Sequence, residues 1–216
     1  REEHAYAAAG AGRLQSAVAS LREAVALRPD FSVGLGLLGN LLCQMGRCAE
    51  AIPFLSRAER SSPSDSTLAF NHAAALLKTG RVDAAIRGFA RAMTVDPLNH
   101  RATVEWAQLA LAKGETIGAV KVLSRVTKLA PTTPAPRLTL ARALVTLGDL
   151  GEAAFQLDRY IALAPDDPNG YLARARVAHQ AGDRTGVKRS LDQGRTRVPG
   201  FPWDQAAADL TRTTGR

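Results

Sequence analysis

Apolar side chains recur along this chain at the spacing of one helical face, and the pattern restarts at a fixed interval, the distance from Gly12 to Gly46. Counted from Gly12, Gly46, Gly80, Gly114, Gly148 and Gly182, five positions on stand Ala17, Ala51, Ala85, Ala119, Ala153 and Val187. Nine positions on stand Leu21, Leu55, Phe89, Leu123, Leu157 and Leu191, and twelve on Ala24, Ala58, Ala92, Val126, Tyr160 and Gly194. Spacings of four and three put these residues on one side of a helix. Seven before each glycine the residue is small (Ala5, Gly39, Ala73, Ala107, Ala141, Ala175), and four before it stands Ala8, Leu42, Leu76, Ala110, Leu144 or Ala178. A small residue beside a larger one lets two helices approach closely.

The punctuation has the same period. Pro29, Pro63, Pro97, Pro131, Pro165 and Pro199 recur at that interval, and each proline before the last lies midway between two of the glycines. Each half of the period has room for one helix of three to four turns. Glycine adopts the left-handed conformation that ends a helix, and proline closes the second helix and directs an extended entry to the next unit. The predicted unit is helix, Gly turn, helix, Pro turn, with Asp65, Asp166 and Asp167 capping helices from the inter-repeat turns.

The period, the small residue of the first helix, the alanines and bulky residue of the second and the closing proline together resemble the tetratricopeptide repeat. The resemblance covers residues 1–200 and implies an all-α fold, a right-handed superhelical solenoid of six repeats at 1–31, 32–65, 66–99, 100–133, 134–167 and 168–201. Residues 202–216 are expected to form a capping helix, with Trp203, Ala206, Ala207 and Leu210 on one face, and a frayed tail from Thr211. Arg1 falls inside the first helix of its unit, so a longer parent protein is expected. Val187 and Gly194 in place of alanines predict looser packing in the last repeat.

Composition narrows the functional classes. The 216 residues are 46% apolar and 22% charged, as in a folded protein, and only 5% aromatic, which suits close helix packing. No apolar run is long enough to span a membrane. The net charge of +8 is dominated by arginine, with five scattered lysines and no basic tail; it permits acidic peptides, anionic membranes or nucleic acid as partners. Cys43 and Cys48 are read as small packing residues on adjacent helices, with a disulfide as the alternative and no histidine nearby to complete a metal site.

The resemblance implies a concave wall lined by the first helix of each pair. Candidate binding residues there are Asn40 and Gln44, then Asn71 and Lys78, Arg101 and Gln108, Arg142, and Arg176 with His179, near Phe70 and Gln180. Amides donate and accept together, as a peptide backbone requires, and arginine pairs with carboxylates. Asn40, Asn71 and Arg101 match three members of the five-residue carboxylate clamp of chaperone-associated relatives. Gly36 and Glu105 replace the other two, and the alternative is an amide ladder or, for Asn40, a bond to nearby backbone.

Catalytic patterns are weak. The stretch from Gly34 to Gly39 fits a dinucleotide-binding string but sits inside a predicted helix after no strand. His4, His72, His100 and His179 lack the spacing of a metal helix, and Trp106 falls among core-facing positions. The expectation is a non-catalytic scaffold, with no cofactor or metal, that binds an acidic protein or peptide. The alternative is the docking or regulatory arm of a larger enzyme or bacterial secretion or exopolysaccharide-export machine. Nucleic acid is not expected as a partner, for want of stacking aromatics. The chain is expected to be soluble; its compartment is left open by the sequence, with the bacterial cytoplasm and periplasm as the candidates.

Overall fold

A computed structural model describes the backbone of residues 2–212 and the side chains of residues 12–210. The expectations at Arg1, His4, Ala5, Ala8 and the tail from Thr211 concern side chains or residues outside that range. Among the described residues every regular element is a helix: α1 (Glu2–Leu27), α2 (Ser32–Gln44), α3 (Cys48–Ser61), α4 (Ser66–Lys78), α5 (Val82–Val95), α6 (His100–Ala112), α7 (Thr116–Leu129), α8 (Pro134–Thr146), α9 (Leu150–Leu163), α10 (Pro168–Gln180), α11 (Arg184–Arg197) and α12 (Trp203–Arg212). The chain forms two compact units, residues 1–106 and 107–216, with α6 contributing to both.

Each turn inside a hairpin is built the same way. Gly46, Gly80, Gly114, Gly148 and Gly182 have φ between 73° and 81°, a region that costs an L side chain energy. The amide of the next residue reaches back to a carbonyl five positions earlier, as in Arg47 N to Leu42 O at 2.8 Å and Arg81 N to Leu76 O at 2.9 Å. This bond satisfies a helix-end carbonyl that would otherwise be orphaned. The prolines stand two residues beyond the ends of α1, α3, α5, α7, α9 and α11. Asp65 then caps α4 through Thr67 N (2.8 Å), and Asp167 caps α10 through Asn169 N (2.9 Å).

Gly12 does not follow this rule. The repeat pattern has it ending a helix, but α1 runs through it without a break, and Gly12 is not among the glycines of positive φ. The residues around it include Ala7, Ala8, Ala9 and Ala11, the strongest helix former in close succession. Helix propensity favours continuation through this alanine-rich stretch.

Packing follows the small positions. In the first unit α2 packs against α1 and α3, and α4 against α3 and α5. In the second, α8 packs against α7 and α9, α10 against α9 and α11, and α12 against α11. The first helices α8 and α10 therefore form one layer of the second unit and α7, α9 and α11 the other. Ala51, Leu55, Ala58, Ala85, Phe89 and Ala92 are fully buried. A Cβ at Gly88 would stand 2.7 Å from the Ala73 methyl and 3.2 Å from its Cα. The last repeat is not looser at Gly194: the ring of Trp203 fills that place, and its Nε1 donates to Val198 O at 2.8 Å. Trp203 is buried and meets Tyr171 edge-on, with ring centroids 6.3 Å apart. Val187 stays half-buried.

Three glycine substitutions separate these roles in urea denaturation. Gly12→Ala is expected to stabilise by about 0.5–1 kcal/mol, because it acts inside a helix with nothing within 4 Å of the added methyl. Gly80→Ala is expected to destabilise by roughly 1–2 kcal/mol through its positive φ. Gly88→Val should cost about 1–3 kcal/mol by forcing α4 and α5 apart.

Candidate functional site

The outward stripes of the first helices form one recess in each unit. In the first unit the walls are Asn40, Cys43 and Gln44 of α2, Asn71, Ala74 and Lys78 of α4, and Arg101 of α6, enclosing about 290 Å³. Register explains the grouping: Asn40 and Gln44 are one turn apart on α2, and Asn71, Ala74 and Lys78 share a face of α4. Phe70 forms the floor. Its ring is 7% exposed and tilts against Phe89 at 5.5 Å, while the Arg101 guanidinium lies over its face, 4.4 Å from the centroid. The arginine is thus oriented by its cation–π contact, with its charge still at the recess.

In this recess the side chains of Asn40, Gln44, Asn71 and Lys78 make no hydrogen bond or ion pair among the described residues. Asn40 is therefore not engaged by nearby backbone, and the amides keep both donor and acceptor capacity. Gly36 is buried under Leu68, and Glu105 is half-buried outside the recess lining.

The second unit holds a recess of about 310 Å³ with different chemistry. Its floor is apolar, made by Ala141, Val145, Leu157, Leu172 and Val177. Arg142 of α8 and Arg176 of α10, equivalent positions in successive repeats, stand at its rim with Asn169 and Gln180. No carboxylate lines it. Gln108, exposed on α6, and His179, on α10, line neither recess. Trp106 is half-buried.

Cys43 and Cys48 are not separate packing residues. A disulfide joins them across the α2–α3 turn, where reversal of the chain at Gly46 brings their Cα atoms to 4.3 Å. The bridge ties the Cys43 wall of the first recess to α3.

Several polar contacts were not legible as pairs, because folding brings their partners together from different helices or from the turns beside them. Glu59 of α3 is half-buried between His72 Nδ1 (2.6 Å) and Arg91 Nε (2.8 Å). The hydrogen bond from His72, then Arg91, hold its carboxyl at about 2, well below the ordinary 4.5, against the opposing effect of burial. Arg137 of α8 is 5% exposed and donates to Gln156 Oε1 (2.9 Å) and Pro131 O (2.8 Å), while its Nε has no partner. Tyr160 donates to the Asp167 carboxylate, and burial together with that carboxylate raises the Tyr160 pKa. Among the described residues no group of three or more His, Cys, Asp or Glu side chains is placed to hold a metal, and no helix is long and apolar enough to cross a membrane.

A stack of helical hairpins with unpaired polar groups on the first helices defines an interaction scaffold. One tetratricopeptide repeat model matches residues 8–71 and 110–177, and a second such model matches residues 70–134. The chain belongs to the tetratricopeptide repeat family, a family of protein-interaction scaffolds. No curated protein matches it by sequence. Among solved structures it is similar to YrrB, described as a TPR protein with an unusual peptide-binding site. That match has 16% identity and a TM-score of 0.68, covering 89% of this chain and 97% of YrrB. PilF of Pseudomonas aeruginosa is 16% identical with a TM-score of 0.74, covering 98% and 95% of the two chains. PilW, a type IV pilus biogenesis factor, is 18% identical with a TM-score of 0.74, covering 95% and 96%. At these identities the likeness establishes the fold.

The Glu59 cluster makes stability depend on acid. A carboxylate whose folded pKa is depressed contributes fully above its unfolded value and loses that contribution as pH falls through the folded one. Stability owed to Glu59 is expected to be intact above pH 4.5 and to fade towards about pH 2. Urea midpoints of Glu59→Gln across that interval should show a shallower acid decline than those of the parent protein.

Proposed function

We propose that this protein is a non-catalytic scaffold whose first-helix faces bind acidic segments of a partner protein. The observation that carries the reading is the pair of register-matched arginines, Arg142 and Arg176, over an apolar floor with no carboxylate on the recess. Such a site favours an apolar anchor residue flanked by Asp or Glu, since the floor removes the anchor from water and the guanidinium forks pair with the acids. The amide-lined recess of the first unit favours extended backbone, whose alternating donors and acceptors Asn40, Gln44 and Asn71 can meet, with Lys78 and Arg101 supplying positive charge. The replacements at Gly36 and Glu105 favour this amide-ladder use over a five-residue carboxylate clamp.

A second reading is that this scaffold serves as the docking arm of a bacterial envelope assembly. It is favoured by the likeness to PilW, a pilus biogenesis factor, and by the Cys43–Cys48 disulfide, a bond that persists in oxidising compartments such as the periplasm.

Calorimetric titration with acidic peptides carrying one apolar anchor tests the reading. The paired reversal Arg142→Glu with Arg176→Glu should abolish binding while the helical circular dichroism is unchanged. Asn71→Ala should weaken a peptide seated in the first recess by about 0.5–1.5 kcal/mol. Unaltered affinity in the arginine variant would remove the basic recess from the function.

A further inference from the structure

The net charge is unevenly shared. Residues 107–216 carry 16 basic and 10 acidic side chains, and residues 1–106 carry 12 and 10. Much of the excess lies on the layer of α7, α9 and α11, and none of those charged side chains lines the arginine recess, which α8, α10 and Leu157 of α9 form. Steps of one repeat across this layer bring together Lys121, Phe155 and Arg189 in one row, and Arg125, Arg159 and Gln193 in the next. A third row is Leu129, Leu163 and Arg197. All nine side chains are exposed, with Phe155 at 55%. None of the nine is a carboxylate. The acids closest in sequence are engaged: Asp158 by Arg174 at 2.9 Å and Asp192 by Arg195 at 3.1 Å.

The same repeat position is handled differently in the first unit. There Arg57 donates to Pro29 O at 2.7 Å, and Arg91 pairs with Glu59 at 2.8 Å. Arg159 occupies the equivalent place in the second unit and has lost both outlets. The carbonyl that corresponds to Pro29 O is Pro131 O, and Arg137 already donates to it. The residue that corresponds to Glu59 as seen from Arg91 is Thr127, which offers no charge. Arg159, like Lys121, Arg125 and Arg189, forms no ion pair or side-chain hydrogen bond among the described residues.

We propose that the α7–α9–α11 face of the second unit docks on an anionic phospholipid surface. Five cations on this face answer the phosphates of anionic headgroups, and the exposed Phe155, Leu129 and Leu163 between them gain by entering the interfacial layer. A nucleic acid would satisfy the cations but leave both leucines in water, and the face has one aromatic ring rather than the several a stacking surface uses. An acidic protein is the other competitor and is separated by the experiment. Docking by this face leaves the recess on α8 and α10 free for a partner.

Flotation of the purified protein with phosphatidylcholine vesicles, with and without phosphatidylglycerol, tests the proposal. The protein should float with the anionic vesicles alone and release as salt shortens the screening length towards about 3 Å near 1 M. Arg125→Glu with Arg159→Glu should lower vesicle affinity on the order of tenfold or more, and Phe155→Ser several-fold, with helical signal retained in both. Arg142→Glu with Arg176→Glu should float like the parent, which separates this face from the peptide recess. Absence of flotation at low salt, equal flotation of the Arg125/Arg159 variant, or Arg125- and Arg159-dependent binding of acidic polypeptide or duplex DNA without flotation would each overturn the assignment.

Discussion

The hairpins of both units are held by contacts at which one helix offers its neighbour no more than a methyl group or a hydrogen. Ala73 against Gly88 is one such approach, and the alanines at 51, 85, 119 and 153 are fully buried at equivalent places. Where helices approach this closely, bulky residues such as Leu55, Phe89, Leu123 and Leu157 interdigitate beside the contact and complete the core. The first helix meets its apolar neighbours with its inner side. Its outer stripe is released from packing, and polar side chains can stand there without hydrogen-bond partners inside the protein. The open amides of Asn40 and Asn71 and the guanidiniums of Arg142 and Arg176 at the recess rim are consequences of that close inner contact.

Features carried by a single repeat unit were legible in the chain, because each unit writes them again. The glycine turns, the prolines two residues past each second helix, the caps at Asp65 and Asp167, though not at Asp166, and the buried alanine ladder follow from backbone sterics and helix periodicity. Gly12 shows the limit of reading one signal by itself. A glycine permits a helix to stop without requiring it, and the alanine-rich sequence around Gly12 favours continuation. Trp203 likewise reaches across to a neighbouring helix at Gly194, where the repeat pattern shows only a missing alanine.

The grouping of the binding candidates was partly legible. Asn40, Gln44, Asn71, Lys78 and Arg101 line one recess and Arg142 and Arg176 another, while Gln108 and His179 line neither. Contacts between helices were hidden, since each joins positions well separated in the chain that no local pattern links. Glu59 with His72 and Arg91, Arg137 with Gln156, and Phe70 beneath Arg101 are of this kind. The Cys43–Cys48 bridge is local, but its pairing depends on the geometry of the Gly46 turn rather than on the spacing of the cysteines. Repetition makes the shared scaffold readable; departures from it carry the individual character of the surfaces.

The claim that first-helix outer stripes are the partner-binding surface is tested most directly by mapping a bound segment on the isotope-labelled protein in solution. Titration with an acidic peptide should shift resonances of the Arg142, Arg176 and Asn169 neighbourhood together with the Leu157 floor, or of Asn40, Asn71 and Lys78, and leave those of the exposed Lys121, Phe155, Arg159 and Arg189 in place. Perturbations confined to the second helices, with the recess resonances unmoved at saturation, would contradict the account.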